Sequence, residues 1–256
     1  LAVTQSELKG EVRLKAAIID RLFDRAHIDD DAVLISEMTV ANWSRRADVV
    51  LANGSLWAFE VKSELDSLSR LPGQLDTFTA NFEKVCVVCA PRFETGARAL
   101  LPEGVGLWVA DEDGSLRERV RPRYTRLTKT AAVGLMKANE LRALLSCNGF
   151  TGVADLPRSG LVELAMQLPA SDLASAARDA VKRRHRSRHD AFVKHREDQG
   201  TVGSMWMLRR EERSRGTYLP PATLTAPAAA NVAIPKGHPL LVQAPGGPVL
   251  RRLVSA

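Results

Sequence analysis

The chain has 256 residues, 45% of them apolar and only 5% aromatic, enough for a mainly aliphatic core in one large domain or in a core domain with an appendage. Basic residues number 36 against 30 acidic, and the formal charge of +6 is compatible with a polyanionic partner. No run approaches the roughly 20 apolar residues of a membrane span, and Leu1 to Gly10 has neither a basic leader nor an apolar stretch. The expectation is therefore a cytoplasmic protein with no membrane partner.

Three cysteines are an odd count without a disulfide framework, which points to a reducing compartment. Cys86 and Cys89 lie in the apolar run Val85-Cys86-Val87-Val88-Cys89, which reads as a buried strand. Residues three apart on a strand face opposite ways, so this C-x-x-C is read as structural.

In chain order, Thr4-Gln5-Ser6-Glu7 has the spacing of a capping box. Leu8, Val12, Ile18, Ile19, Leu22, Phe23 and Ala26 then recur at helical spacing, so the first element is a helix ending at Asp29-Asp30-Asp31. Three strands follow, Val33 to Val40, Arg46 to Leu51 and Leu56 to Lys62, the last two joined by the turn signal Asn53-Gly54. Leu65 to Phe82 reads as a helix, with Leu68, Leu71, Leu75, Phe78 and Phe82 spaced at threes and fours and Pro72 in its first regular turn. Val85 to Cys89 is a strand, Arg92 to Leu101 a helix, and Gly106 to Ala110 a strand. A three-strand meander followed by alternation predicts a mixed sheet flanked by helices.

Residues 1–128 form this α/β core, with Arg117 to Arg126 read as a basic linker. Residues 129–199 show helices alone, at Leu135 to Ser146, Leu161 to Leu168 and Ser171 to Phe192. Residues 200–256, rich in Pro, Ala and Gly with Pro220-Pro221 and Ala228 to Ala230, are expected to form a disordered or loosely attached tail that cannot bury enough to offset the entropy of ordering.

The chemistry-bearing residues sit on the second and third strands. Glu60 and Lys62 are two apart and share a face. A two-residue turn at Asn53-Gly54 would pair Asp48 with Phe59 and send Glu60 to the other face. A three-residue loop with Gly54 left-handed pairs Asp48 with Ala58, leaving Glu60 its diagonal neighbour on the same face. The second register gathers Ala47, Val49, Leu51, Trp57, Phe59 and Val61 on one apolar side and Arg46, Asp48, Val50, Ala58, Glu60 and Lys62 on the other, so it is preferred. Asp48 and Glu60, with the Val61 carbonyl, then match the oxygen set that holds Mg²⁺ (or Mn²⁺). Lys62 would orient water or offset phosphoryl charge, and a third acid would come from Glu37, or from Glu11 or Glu7. A solvated strand face carrying a Glu-Lys pair fits the same spacing.

The string Glu37, Arg46-Ala47-Asp48, Glu60-Val61-Lys62-Ser63 and Asp66-Ser67-Leu68-Ser69-Arg70-Leu71-Pro72-Gly73-Gln74 resembles the PD-(D/E)XK nuclease superfamily. Within it, the string is most similar to an uncharacterised bacterial family with the pattern E…RxD…ExKS…DxLxRLxxQ. Ala47 replaces the usual proline, and Phe78 stands where that family often has tyrosine. The resemblance implies a restriction-endonuclease-like fold and a metal-dependent nuclease acting on DNA, with a homodimer as a further possibility. Its catalytic residues would be Asp48, Glu60, Lys62, Glu37 and Gln74, and its metal ligands Asp48, Glu60 and Val61. Arg46 and Arg70 would bind nucleic acid. So would Lys182, Arg183 and Arg184 in the run Lys182 to His189, whose other reading is a solvated helix end. The alternative function is a nucleic-acid-binding protein that keeps the fold without turnover. His27, His185, His189, His195 and His238 are scattered and take no catalytic role, whereas Trp43, Trp57 and Trp108 are expected in core or hairpin packing and Trp206 as an anchor for the start of the tail.

Overall fold

The structure, a computed structural model, describes residues 10–40, 45–111, 113–209, 241–244 and 247–250. The capping box at Thr4 to Glu7, Trp43 and most of the expected tail lie outside the described residues. Helix α1 (Gly10–Asp24) precedes β1 (Val33–Val40), β2 (Arg45–Asn53) and β3 (Ser55–Lys62). Next come α2 (Leu71–Asn81), β4 (Lys84–Cys89), α3 (Glu94–Leu100), β5 (Gly106–Ala110) and β6 (Leu116–Val120). Helices α4 (Lys129–Leu135), α5 (Ala138–Cys147), α6 (Arg158–Ala165) and α7 (Ala170–Ser204) follow.

The six strands form one mixed sheet in sequence order. The pairs β1–β2, β2–β3 and β5–β6 are antiparallel, whereas β3–β4 and β4–β5 are parallel and each is joined through a helix. The expected mixed sheet flanked by helices is what forms. Strand β6 replaces part of the expected basic linker. Its middle residues are solvated, with Arg117 on Asp111 at 2.5 Å and Arg119 on Glu94 at 3.2 Å, so it lacks the apolar alternation that would have revealed it.

The β2–β3 hairpin corrects the expected register while keeping its parity. Gly54, at φ 61°, makes the turn alone between the paired residues Asn53 and Ser55. Val49 faces Phe59 and Val50 faces Ala58, which carries Asp48 on toward Glu60 rather than Ala58. Helix α2 starts at Leu71, with Pro72 in its first turn, and Leu65 is exposed. Phe78 is fully buried with the apolar stripe of α2, 5.9 Å from the Phe82 ring.

Both faces of the sheet are covered, so the side expected to be polar is largely core. Val49, Leu51, Trp57, Phe59 and Val61 pack with Ile18, Ile19 and Leu22 of α1. Val50, Ala52, Leu56 and Ala58 pack on the other side with α2 and the later helices. Cys86 and Cys89 fall into these opposite cores as free thiols, in keeping with a structural C-x-x-C. Trp57 and Trp108 meet edge-on at 5.6 Å.

The described residues up to 209 lie in one compact unit, and the helices after Lys129 share its core. Helix α7 contributes Leu173, Ala177 and Val181 to one face of the sheet and Phe192 to the other. Between these it lies on the β1 edge, where the Leu34 N–H donates to His189 Nδ1 at 3.2 Å. It thereby covers a sheet edge that would otherwise be open to pairing. The helix runs to Ser204 through a kink at Gly200, and Met205 and Leu208 beyond it are buried, so ordered structure extends into the expected tail. Trp206 is 62% exposed. In a second unit, β7 (Leu241–Ala244) and β8 (Gly247–Leu250) pair antiparallel.

Glu83, 1% exposed, joins distant parts of the first unit. It accepts from the Leu56 N–H at 2.8 Å, the Tyr124 hydroxyl at 3.0 Å and Arg178 at 2.8 Å. Glu83→Ala strands Arg178 and is expected to cost about 3–5 kcal/mol, measured as a lower urea midpoint.

Candidate functional site

Seven of the residues singled out in the sequence come together where α1 and α2 approach β1, β2 and β3. They are Glu37, Arg46, Asp48, Glu60, Val61, Lys62 and Gln74. An eighth group, Lys15, organises them. Helix α1 turns its apolar stripe of Leu14, Ile18, Ile19 and Leu22 to the sheet and inserts Lys15 in that stripe, fully buried. Lys15 Nζ lies 2.7 Å from Glu11 and 3.0 Å from Asp48, and it also pairs with Glu37. Burial alone would lower the Lys15 pKa, but Asp48, Glu11 and Glu37 reverse this and hold it above its ordinary value.

Glu37 adopts a left-handed backbone at φ 61° within β1. For a residue with a Cβ, such a conformation costs about 1–3 kcal/mol and persists only when its surroundings enforce it. Here Glu37 is held by Lys15 and by the Arg46 guanidinium. Asp48 accepts from the Val61 N–H at 2.8 Å, which ties the two strands beyond the Val49–Phe59 pair. Burial raises the Asp48 carboxyl pKa, and Lys15 and the Val61 N–H only partly offset that.

Glu60 sits beside this group under α2. Its Oε1 accepts from Lys62 at 2.8 Å and from Gln74 at 2.5 Å, while Lys62 also donates to Gln74 Oε1 at 2.8 Å. Glu60 Oε2 is buried without a hydrogen-bond partner. Burial, and then the Asp48 charge, push the Glu60 carboxyl up to about 7.

The remaining expected residues do not join the cluster. Arg70 is exposed just before α2. Lys182 pairs with Asp31, and Arg184 donates to the Leu135 carbonyl at 2.7 Å and lies 3.2 Å from Glu140. Arg186 donates to the carbonyls of Asp30, Asp31 and Ala32. Lys182, Arg186 and His189 thus fasten α7 to the polypeptide entering β1, Arg184 ties it to α4 and α5, and of the three residues expected to bind nucleic acid there, only Arg183 is exposed.

Sequence reasoning missed Lys15 and named Glu11 only as an alternative acid. The available signal was a lysine one turn after Glu11 in the middle of an apolar stripe, where an unpaired cation would be untenable. Oxygen atoms of Glu11, Glu37 and Asp48 lie within 4.8 Å of one another, a donor set suited by type to a hard divalent ion. The Lys15 ammonium, however, already engages all three, so an ion does not fit among them beside it. The sequence instead places the ion on Asp48, Glu60 and the Val61 carbonyl; there Glu60 turns Oε1 to Lys62 and Gln74 and leaves Oε2 unpartnered, and Asp48 accepts from the Val61 N–H.

Fold and site together define a mixed α/β protein with a buried, lysine-centred carboxylate cluster. The profile of the family described as Bacteriophage P4 protein cII matches residues 4–209, and the chain belongs to that family. Protein cII of Enterobacteria phage P4 is 35% identical over 220 residues, covering 84% of this chain and 83% of its own length. No solved structure matches. These findings correct the sequence reading: the chain belongs with the phage P4 cII proteins and not with a PD-(D/E)XK nuclease family, so the nuclease and hydrolase assignments fall. The D…ExK spacing misleads because any hairpin that sets an aspartate opposite a glutamate reproduces it.

Glu60 generates a pH prediction. Its folded pKa of about 7 exceeds the ordinary 4.5, so the folded state binds a proton that the unfolded state has lost. Stability from this group is greatest below that window and falls as pH rises through it. Glu60→Gln keeps the acceptor for Lys62 and Gln74 but cannot ionise. The thermal midpoint of the variant minus that of the wild type should therefore increase between about pH 5 and pH 8, as checked by calorimetry across that range.

Proposed function

We propose that this protein binds nucleic acid, DNA in the first instance, without chemical turnover, and that it acts in the cytoplasm. The observation that carries the reading is a set of exposed arginines beside the buried polar cluster. Arg45, Arg46 and Arg70 are exposed, with the Arg46 side chain 61% accessible. The Arg45 guanidinium reaches the first turn of α2, 3.6 Å from where a Cβ on Gly73 would lie. These groups come from β2 and from the residue before α2, whose N-terminal end adds the positive pole of a helix dipole. Guanidinium groups suit phosphate because their planar donors bind oxygen pairs while staying charged.

The formal charge of +6 supports the same reading, since phosphate contacts and general attraction need positive charge and no base-specific groups. The family finding gives no support to nuclease turnover, because the kinship is to the phage P4 cII proteins and not to a nuclease family. Free thiols at Cys86, Cys89 and Cys147 suit the reducing interior of a cell. Among the described residues, no helix is long and apolar enough to cross a membrane.

Fluorescence anisotropy with labelled duplex DNA, single-stranded DNA and RNA over a salt series tests this proposal. Each change Arg45→Ala, Arg46→Ala or Arg70→Ala should weaken DNA binding roughly threefold to tenfold and reduce the slope of log affinity against log salt by about one. Binding unchanged in the triple variant, or preference for RNA, would overturn the assignment. Metal-dependent cleavage abolished by Asp48→Ala and Lys62→Ala would overturn the absence of turnover.

A further inference from the structure

We infer that Lys15 is the resident cation of the Glu11–Glu37–Asp48 cluster, and that it closes the native site to Mg²⁺ and Mn²⁺. The inference begins with stoichiometry. An ammonium offers three N–H donors and no acceptor. Here three carboxylates from three different elements face it: Glu11 on α1, Glu37 on β1 and Asp48 on β2. The ammonium donates to Glu37 and forms ion pairs with Glu11 and Asp48, so all three carboxylates already have a cation without an added ion.

Burial makes this occupancy hard to exchange. Lys15 is fully buried, and its neighbours Leu14, Ile18 and Ile19 belong to the apolar core. A divalent ion among the three carboxylates would need the oxygens that the ammonium holds, leaving Lys15 with no partner in an apolar setting. If the ammonium stayed, two cationic centres would share one small site and repel each other. Mg²⁺ adds a further requirement for near-octahedral oxygens and retained water.

The neighbouring acidic groups add no further ligand to the Lys15 cluster. Glu60 turns its Oε1 to Lys62 and Gln74, its unpartnered Oε2 does not join the converging oxygens of Glu11, Glu37 and Asp48, and the second oxygen of Glu37 is paired with Arg46. Among the described residues, this is the cluster whose acidic ligand atoms converge closely enough to hold a metal, and the protein's own side chain occupies it. Removing that side chain should expose a working carboxylate site, because the strands and Arg46 still hold Glu37 and Asp48 in place. The inference stands apart from nucleic-acid binding, so failure of either leaves the other intact.

The test is Mn²⁺ binding to the full chain, counted by electron paramagnetic resonance, alongside thermal midpoints in chelator and in millimolar Mn²⁺. The wild type should bind no stoichiometric Mn²⁺ and show no shift in midpoint. Lys15→Ala should gain about one site and a rise of roughly 5 °C or more with Mn²⁺. If Lys15→Ala is unfolded in chelator, folding on addition of Mn²⁺ is the same result, as in metal-dependent small domains. A stoichiometric Mn²⁺ site in the wild type that is lost in Asp48→Asn overturns the inference, as does a folded Lys15→Ala that binds no Mn²⁺. The wild-type measurement decides on its own should the variant fail to fold in either condition.

Discussion

A buried ammonium among three carboxylates is stable only if all four groups are held together, and this requirement organises one end of the molecule. Lys15 lies on α1, whereas Glu37 and Asp48 lie on neighbouring strands. Losing the lysine would leave several anions poorly solvated, and losing the acids would strand a cation in the core. The contact therefore sets where α1 meets the sheet. It also explains why Glu37 tolerates a left-handed backbone: that conformation delivers its carboxylate to Lys15 and Arg46 together. The Lys62–Glu60–Gln74 network continues this polar region beneath α2.

Helix α7 solves a second problem by the same means. A six-stranded sheet with β1 at its margin exposes backbone groups on that strand. His189 accepts from the Leu34 N–H, while Arg186 donates to three carbonyls just before β1 and Lys182 pairs with Asp31. Residues 182, 186 and 189 recur at helical spacing, so one face of α7 carries the whole strap. Positive charge that looks like a polyanion surface in one dimension is mostly spent inside the fold. Arg45, Arg46 and Arg70 are among the basic side chains that stay exposed at the surface.

The strands and most helices were legible because apolar periodicity records burial directly. Val85 to Cys89 showed its buried character, including the opposite faces of its two cysteines, and Pro72 marked the first turn of α2. Convergence of Asp48, Glu60, Lys62 and Gln74 followed from the parity of the hairpin, even though the turn at Gly54 is tighter than expected and shifts the register. Lys15 was not legible from periodicity, since its partners are remote in sequence and its burial depends on all of them. Strand β6 was hidden by its solvated face, and the basic run of α7 by its contacts with residues 30–34. The family was misread because a short acidic motif reports local hairpin geometry, whereas membership in the phage P4 cII family rests on similarity along most of the chain.

The lysine-centred cluster is a site whose cation is supplied by the protein itself. That account depends on Lys15 being a charged ammonium held by its carboxylates. Nuclear magnetic resonance of Lys15 Nζ in lysine-labelled protein, followed through an alkaline titration, tests this most directly. The account predicts a slowly exchanging ammonium still protonated at about pH 11, above the ordinary lysine value near 10.4. A Lys15 signal that exchanges freely with water and titrates at or below that ordinary value would contradict it.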